Sequence, residues 1–211
     1  MFESGQVTGI AEQVKQGKVN LVIIYIGAND FAPYITPDGY DAIYNGSVSE
    51  EIMLRKKNRL VADITTAVDI IRRSGNVKIL LITIPDWSHH LGIRAAFPLP
   101  SGRERVTKLI TETNNDLERM SAERSIATTD PNIFYKKIYA GGSDEIIFGG
   151  KRFNAILPSD EPHSVFLEDG VHMGTILNGL FANYIIAELN SKLGTSLRQF
   201  STDELLMHAG L

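Results

Sequence analysis

The chain has 211 residues, of which 43% are hydrophobic and 22% charged, with no cysteine and a formal net charge of -4. That length and composition suit a single globular domain over residues 1–211 with a sizeable core. The charges form no basic stripe for nucleic acid and no polybasic membrane anchor, no apolar run is long enough to span a membrane, and disulfides, thiolate metal sites and a cysteine nucleophile are excluded.

In chain order, residues 1–8 read as a loop containing Gly5, with Thr8 capping a short helix through Ile10 and Val14 that Gly17 stops. Residues 21–26 (LVIIYI) are apolar and rich in β-branched side chains, which predicts an interior parallel strand buried on both faces and ended by Gly27. Residues 31–49 are rich in Pro, Gly, Tyr and Asp and read as a loop over the strand's C-terminal end. Leu60, Val61, Ile64, Val68 and Ile71 then recur at the spacing of an amphipathic helix over 50–74, and residues 77–84 (VKILLITI) form a second buried strand ended by Pro85, completing a βαβ unit.

Residues 86–102 are a second loop. A helix over about 103–124 has Val106, Leu109, Ile110, Leu117 and Met120 as its buried stripe, and 125–129 is a short third strand that Asp130 and Pro131 end. Residues 139–168 show no sustained period and read as a long excursion over the same end of the sheet. Leu177, Leu180, Phe181, Tyr184, Ile185 and Leu189 mark a helix over 175–193 stopped by Gly194, and Thr202, Asp203 and Glu204 open a last short one.

Two short stretches carry chemistry. In Asp169-Gly170-Val171-His172 the three-residue separation lets the carboxylate reach the near imidazole nitrogen, which fixes the tautomer and leaves the far nitrogen as a general base. The alternative is a helix entry at which Asp169 only caps backbone. In Gly27-Ala28-Asn29-Asp30 the end of a strand presents an amide and a carboxylate at the sheet edge where α/β proteins bind ligands; the alternative is an ordinary turn.

Taken together and in this order, the two stretches resemble the third and fifth blocks, G-x-N-D and D-x-x-H, of the SGNH hydrolases, also called GDSL esterases and lipases. The resemblance runs from Gly5 almost to the C-terminus and includes an Asn in the helix before the third strand, here Asn114 or Asn115. It implies a three-layer α/β/α flavodoxin-like fold with a parallel sheet, lacking its first strand or strands, and hydrolysis of a small-molecule or carbohydrate ester through a serine acyl-enzyme, with no cofactor. By the same resemblance His172 is the base, Asp169 its orienter, and Asn29 an oxyanion donor. Gly5 is the second oxyanion donor, with Gly9 the runner-up.

The family's nucleophilic serine lies in a G-D-S block upstream of the glycine block, and no G-D-S occurs in these residues. The expectation is a family member truncated at its N-terminus, active only in its intact form; the competing expectation is a non-catalytic fragment or binding domain that keeps the fold. A nucleotide-binding flavodoxin-like module is disfavoured because no Gly-rich phosphate loop follows a strand. Ser88, beside His89 and His90, and Ser4 lack a nucleophile-elbow pattern. Trp87, Tyr34, Tyr40 and Phe97 either line a pocket or pack their loops down. His89, His90, His163 and His208 show no metal-ligand spacing, and Asp30 is expected to serve the backbone of its own turn.

Overall fold

The computed structural model describes residues 5–139 and 144–211, and these form a mixed α/β protein with eight α-helices and a three-stranded parallel sheet. The chain divides into two compact units, Met1–Asp86 with Leu99–Asp130, and Trp87–Pro98 with Pro131–Leu211.

The first unit holds the sheet, in the order β1 (Leu21–Tyr25), β2 (Lys78–Ile82), β3 (Ala127–Thr129). Both pairings are parallel, running from Leu21 opposite Lys78 to Tyr25 opposite Ile82, and from Leu80 opposite Ala127 to Ile82 opposite Thr129. The central strand is therefore β2, with Ile79, Leu80, Leu81 and Ile82 all buried. The expected interior position of β1, buried on both faces, is corrected, since its side chains alternate, Val22 and Ile24 buried while Ile23 is 46% and Tyr25 41% exposed; among the described residues it pairs on one side only, the arrangement expected where the sheet lacks its first strand or strands. The two apolar runs look alike because composition reports burial, whereas edge or centre is decided by how many distant strands pair.

Helix α1 (Gln6–Lys15) begins earlier than the sequence suggests. Gly5 precedes it at φ 71, and the Thr8 hydroxyl, instead of capping, donates back to the Gly5 carbonyl at 2.9 Å. The presumed loop of 31–49 contains α2 (Tyr40–Asn45), whose Tyr40 and Ile43 are buried. Helix α3 (Glu50–Arg73) starts where Ser49 accepts the Ile52 N–H and buries Leu60, Ile64, Ala67, Val68 and Ile71; full burial of each large aliphatic contributes roughly 1.5–3 kcal/mol. It packs against α1 and against α5 (Pro100–Glu123), which begins with Pro at its first turn. Asn114, rather than the exposed Asn115, faces inward from α5: its amide accepts the Ile84 N–H at 2.8 Å and donates to the Ile84 carbonyl at 2.9 Å, tying the end of β2 to the helix.

The second unit contains α4 (Leu91–Ala96), α6 (Pro131–Ile138), an antiparallel hairpin of β4 (Glu145–Phe148) and β5 (Lys151–Asn154), and helices α7 (Thr175–Leu193) and α8 (Thr202–His208). The hairpin lies in the stretch expected to be irregular, and its turn is Gly149-Gly150 at φ 56 and 74, the double positive φ that a two-residue turn of matching twist requires. Helix α8 opens on a Ser201–Glu204 capping box, one residue before the expected Thr202. No helix among the described residues is long and apolar enough to cross a membrane.

Candidate functional site

In the second unit, an antiparallel bridge joins Phe166 and Met173, and the Leu167 N–H donates to the His172 carbonyl at 2.8 Å. This closes a six-residue loop, 167–172, which turns at Gly170 (φ 69) with the Gly170 N–H on the Leu167 carbonyl. The Asp169 carboxylate sits inside that loop and uses both oxygens. Oδ1 accepts the backbone N–H groups of Val171 and His172, each at 2.8 Å, and Oδ2 lies 2.6 Å from His172 Nδ1. The capping and orienting roles that the sequence poses as alternatives are thus both filled, by different oxygens of one side chain.

A carboxylate at Nδ1 favours the tautomer with the proton there and leaves Nε2 as the acceptor of a further proton. The His172 imidazole first, then the two backbone N–H groups, hold the Asp169 carboxyl down at about 2. The side chains are 76% and 49% exposed, so water screens the pair and its value is positional rather than stabilising. The dyad lies in the hairpin loop, not on the helix. Gly174, which precedes α7, holds the two together: its N–H donates to the Val165 carbonyl at 2.8 Å, and a Cβ there would stand 2.7 Å from the Ser164 carbonyl oxygen.

In the first unit β1 runs into a 3-10 turn over Ala28–Asp30. Gly27 makes the turn possible at φ 98, where a Cβ would come within 2.6 Å of Ile84 Cδ1 and 3.1 Å of Leu60 Cδ1. The Asp30 N–H closes onto the Gly27 carbonyl at 3.1 Å, and Phe31, fully buried, anchors the far side. Asn29 is exposed at the crest, and its amide makes no hydrogen bond among the described residues. It is free to donate to a ligand. Asp30 is half-buried and lines a cleft of about 640 Å³. Burial raises its carboxyl above the ordinary range, Lys56 and Arg59 oppose this, and Asp38 adds to it.

Gly5 and Asn29 belong to the first unit, Asp169 and His172 to the second. Between the two glycines, Gly9 is ruled out as a donor because its N–H is spent on the Gly5 carbonyl at 2.9 Å, inside α1. Ser88 is half-buried in a 3-10 turn, Trp87–His89, and Ser4 lies outside the described residues. Tyr40 and Phe97 are packing residues, Trp87 packs on His90 with ring centroids 5.6 Å apart, and Tyr34 is exposed.

The sequence gives no hint of the role of His90. Its ring is buried against Phe166, at 3.9 Å between centroids, and Tyr135, at 6.0 Å, with Nδ1 lacking a partner among the described residues. Burial pushes its pKa down to about 3, so it is neutral across the physiological range. Among the described residues no cluster of three or more His, Asp or Glu side chains is placed to hold a metal ion.

These features define a mixed α/β protein with a parallel sheet, an Asp–His dyad in a closed hairpin loop and an exposed Asn at the end of the edge strand. No family model, curated protein or solved structure matches the chain.

Proposed function

We propose that the chain carries the base, the orienter and the oxyanion donors of an ester hydrolase that works through a serine acyl-enzyme, of the SGNH type and on its three-layer flavodoxin-like fold. The observation that supports this best is the 2.6 Å contact between His172 Nδ1 and Asp169, made by a carboxylate whose other oxygen is fixed by two backbone N–H groups. A carboxylate anchored in that way orients an imidazole instead of following it.

In this reading the attacking hydroxyl is that of a serine in a G-D-S block, and no G-D-S occurs among these 211 residues. That hydroxyl adds to the ester carbonyl while His172 Nε2 takes the proton, and the oxyanion accepts hydrogen bonds from the Asn29 amide and the Gly5 N–H. His172 then returns the proton to the departing alcohol, and a water deprotonated by the same nitrogen releases the acid. The same missing block favours a second reading, a domain that binds the ester and does not turn it over.

The test is hydrolysis of p-nitrophenyl acetate together with labelling by a fluorophosphonate serine probe. The 211-residue chain should show neither above a buffer control, because loss of the nucleophile costs on the order of a million-fold in turnover. A polypeptide that also includes a G-D-S block should gain both, and lose most turnover on His172→Ala. The losses from Asn29→Ala and His172→Ala should combine to less than their product. Failure of the extended chain to turn over any ester supports the binding domain, and stoichiometric labelling of the 211-residue chain moves the nucleophile to Ser88.

A further inference from the structure

The cleft beside the Asn29 turn is built of charged side chains over an apolar floor, all within the first unit. Three of its side chains are cations, and each has a carboxylate partner. Lys56, only 8% exposed, is committed to Asp38 at 2.7 Å and to the Thr36 hydroxyl at 3.5 Å; Arg59 stands 3.8 Å from Asp63, and Arg55 3.4 Å from Glu51. Asp30 is the carboxylate left over, with no ion pair among the described residues, although it is half-buried and lines the same space. Beneath it Ile26, Leu60 and Ile64 supply aliphatic wall, and Ile52 remains 39% exposed at the rim.

A half-buried carboxylate with no ion pair of its own carries a desolvation cost that Lys56 and Arg59 offset only in part, since the Asp30 pKa stays raised, and a bound cation relieves the remainder. A volume of about 640 Å³ is in the usual range of small-molecule sites, and the four aliphatic residues of this one lie among three carboxylates and three cations, of which Asp30 alone lacks an ion pair among the described residues. We propose that this cleft binds a small ligand carrying an ammonium group on an apolar body, with the ammonium paired to Asp30. An anion would be repelled by Asp30, whose charge Lys56 and Arg59 offset only in part while they also face Asp38 and Asp63. A neutral alcohol would gain one hydrogen bond and no charge pairing.

This inference stands apart from the ester reading, which uses Asn29 and not Asp30. Combined with ester chemistry at Asn29, one residue earlier in the same turn, it specifies the substrate as an amino-bearing ester; that extension alone rests on the ester reading.

The experiment is an amide NMR titration of the 211-residue chain with hexylammonium, hexanol and hexanoate at pH 7 and constant ionic strength. Hexylammonium should shift amides within 26–38 and 52–64 and bind at least tenfold more tightly than the other two. In Asp30→Asn it should fall to the level of hexanol, while hexanol continues to shift the same amides and so shows that the cleft is intact. Equal binding of hexylammonium and hexanol, stronger binding of hexanoate, or hexylammonium binding that survives Asp30→Asn overturns the proposal. The comparison of the three ligands on the unsubstituted chain decides the question even where the variant does not fold. Because no turnover is measured, a failed ester assay leaves this result standing, and the converse holds too.

Discussion

Replacing Gly27 by alanine tests the joint between the sheet and the Asn29 turn. At φ 98 an L side chain is strained whatever the space around it, at about 1–2 kcal/mol. The added Cβ also meets Ile84 Cδ1 at 2.6 Å and the two Leu60 methyl groups at 3.1 and 3.2 Å, in a region where Ile84 is fully buried. Forcing a methyl into a filled core costs about 1–3 kcal/mol, so Gly27→Ala should lose about 2–5 kcal/mol in all. Gly17 separates the two effects: its φ is 69 and a Cβ there touches nothing within 4 Å, so Gly17→Ala should lose only the strain, about 1–2 kcal/mol. Urea unfolding followed by far-UV circular dichroism gives both numbers. In a thermal scan each kcal/mol is worth about 2–4 °C for a chain of this size. Ile84→Val, which deletes the offending methyl, should cost less in the Gly27→Ala background than in the native one, a coupling that a double-mutant cycle reads directly. Equal losses at Gly17 and Gly27 would refute the picture of Gly27 wedged against Ile84 and Leu60.

Three further outcomes follow from the second unit. His90 is neutral in the fold down to about pH 3 while an unfolded histidine protonates near 6.5, so stability should be intact above 6.5 and fall by up to about 1.4 kcal/mol per pH unit below it; His90→Phe should flatten that slope, and an unchanged slope would show that His90 is not its source. The Asp169 carboxyl should titrate at about 2 by carbon NMR and move up part of the way to 3.8 in His172→Ala, the two backbone donors holding the remainder; its stabilising contribution is present above the unfolded value and disappears as pH drops through 2. No movement would mean that the imidazole is not its main partner. Gly174→Ala places a Cβ 2.7 Å from the Ser164 carbonyl, a backbone atom that cannot swing aside, and should cost about 1–3 kcal/mol and shift the amides of 166–173; a spectrum unchanged there would refute the close approach.

How much of this was legible in the sequence depended on how local each cause is. Helix α7 is readable to its ends because its apolar stripe repeats for almost four turns, from Ile176 to Leu189, and Gly194 stops it in the left-handed region. Helix α5 starts at Pro100, ahead of the expected 103, and Pro100 is itself the signal of a first turn. Helix α2 has only six residues between Gly39 and Gly46, too few for a period to show. The β4–β5 hairpin does leave a mark, EIIF-GG-KRFN, but its flanks alternate too weakly to show a strand period. At the site, the D-x-x-H spacing predicted the contact but not the hairpin that enforces it, because that loop is closed by the Phe166–Met173 bridge and not by its own four residues. The buried ring of His90 was invisible for the same reason: Phe166 and Tyr135 come from distant parts of the chain.

The edge position of β1 sets a limit on how concentrated this protein can be kept. A five-residue strand, LVIIY, without Lys, Pro or a bulge inside it, leaves one side unpaired among the described residues and presents Ile23 and Tyr25 on an exposed face. Those are the features that natural edge strands usually avoid. Crowding should therefore drive chain-to-chain strand pairing, seen as light scattering that rises with the square of concentration or faster, and a lysine at Ile23 should raise the threshold at which it begins.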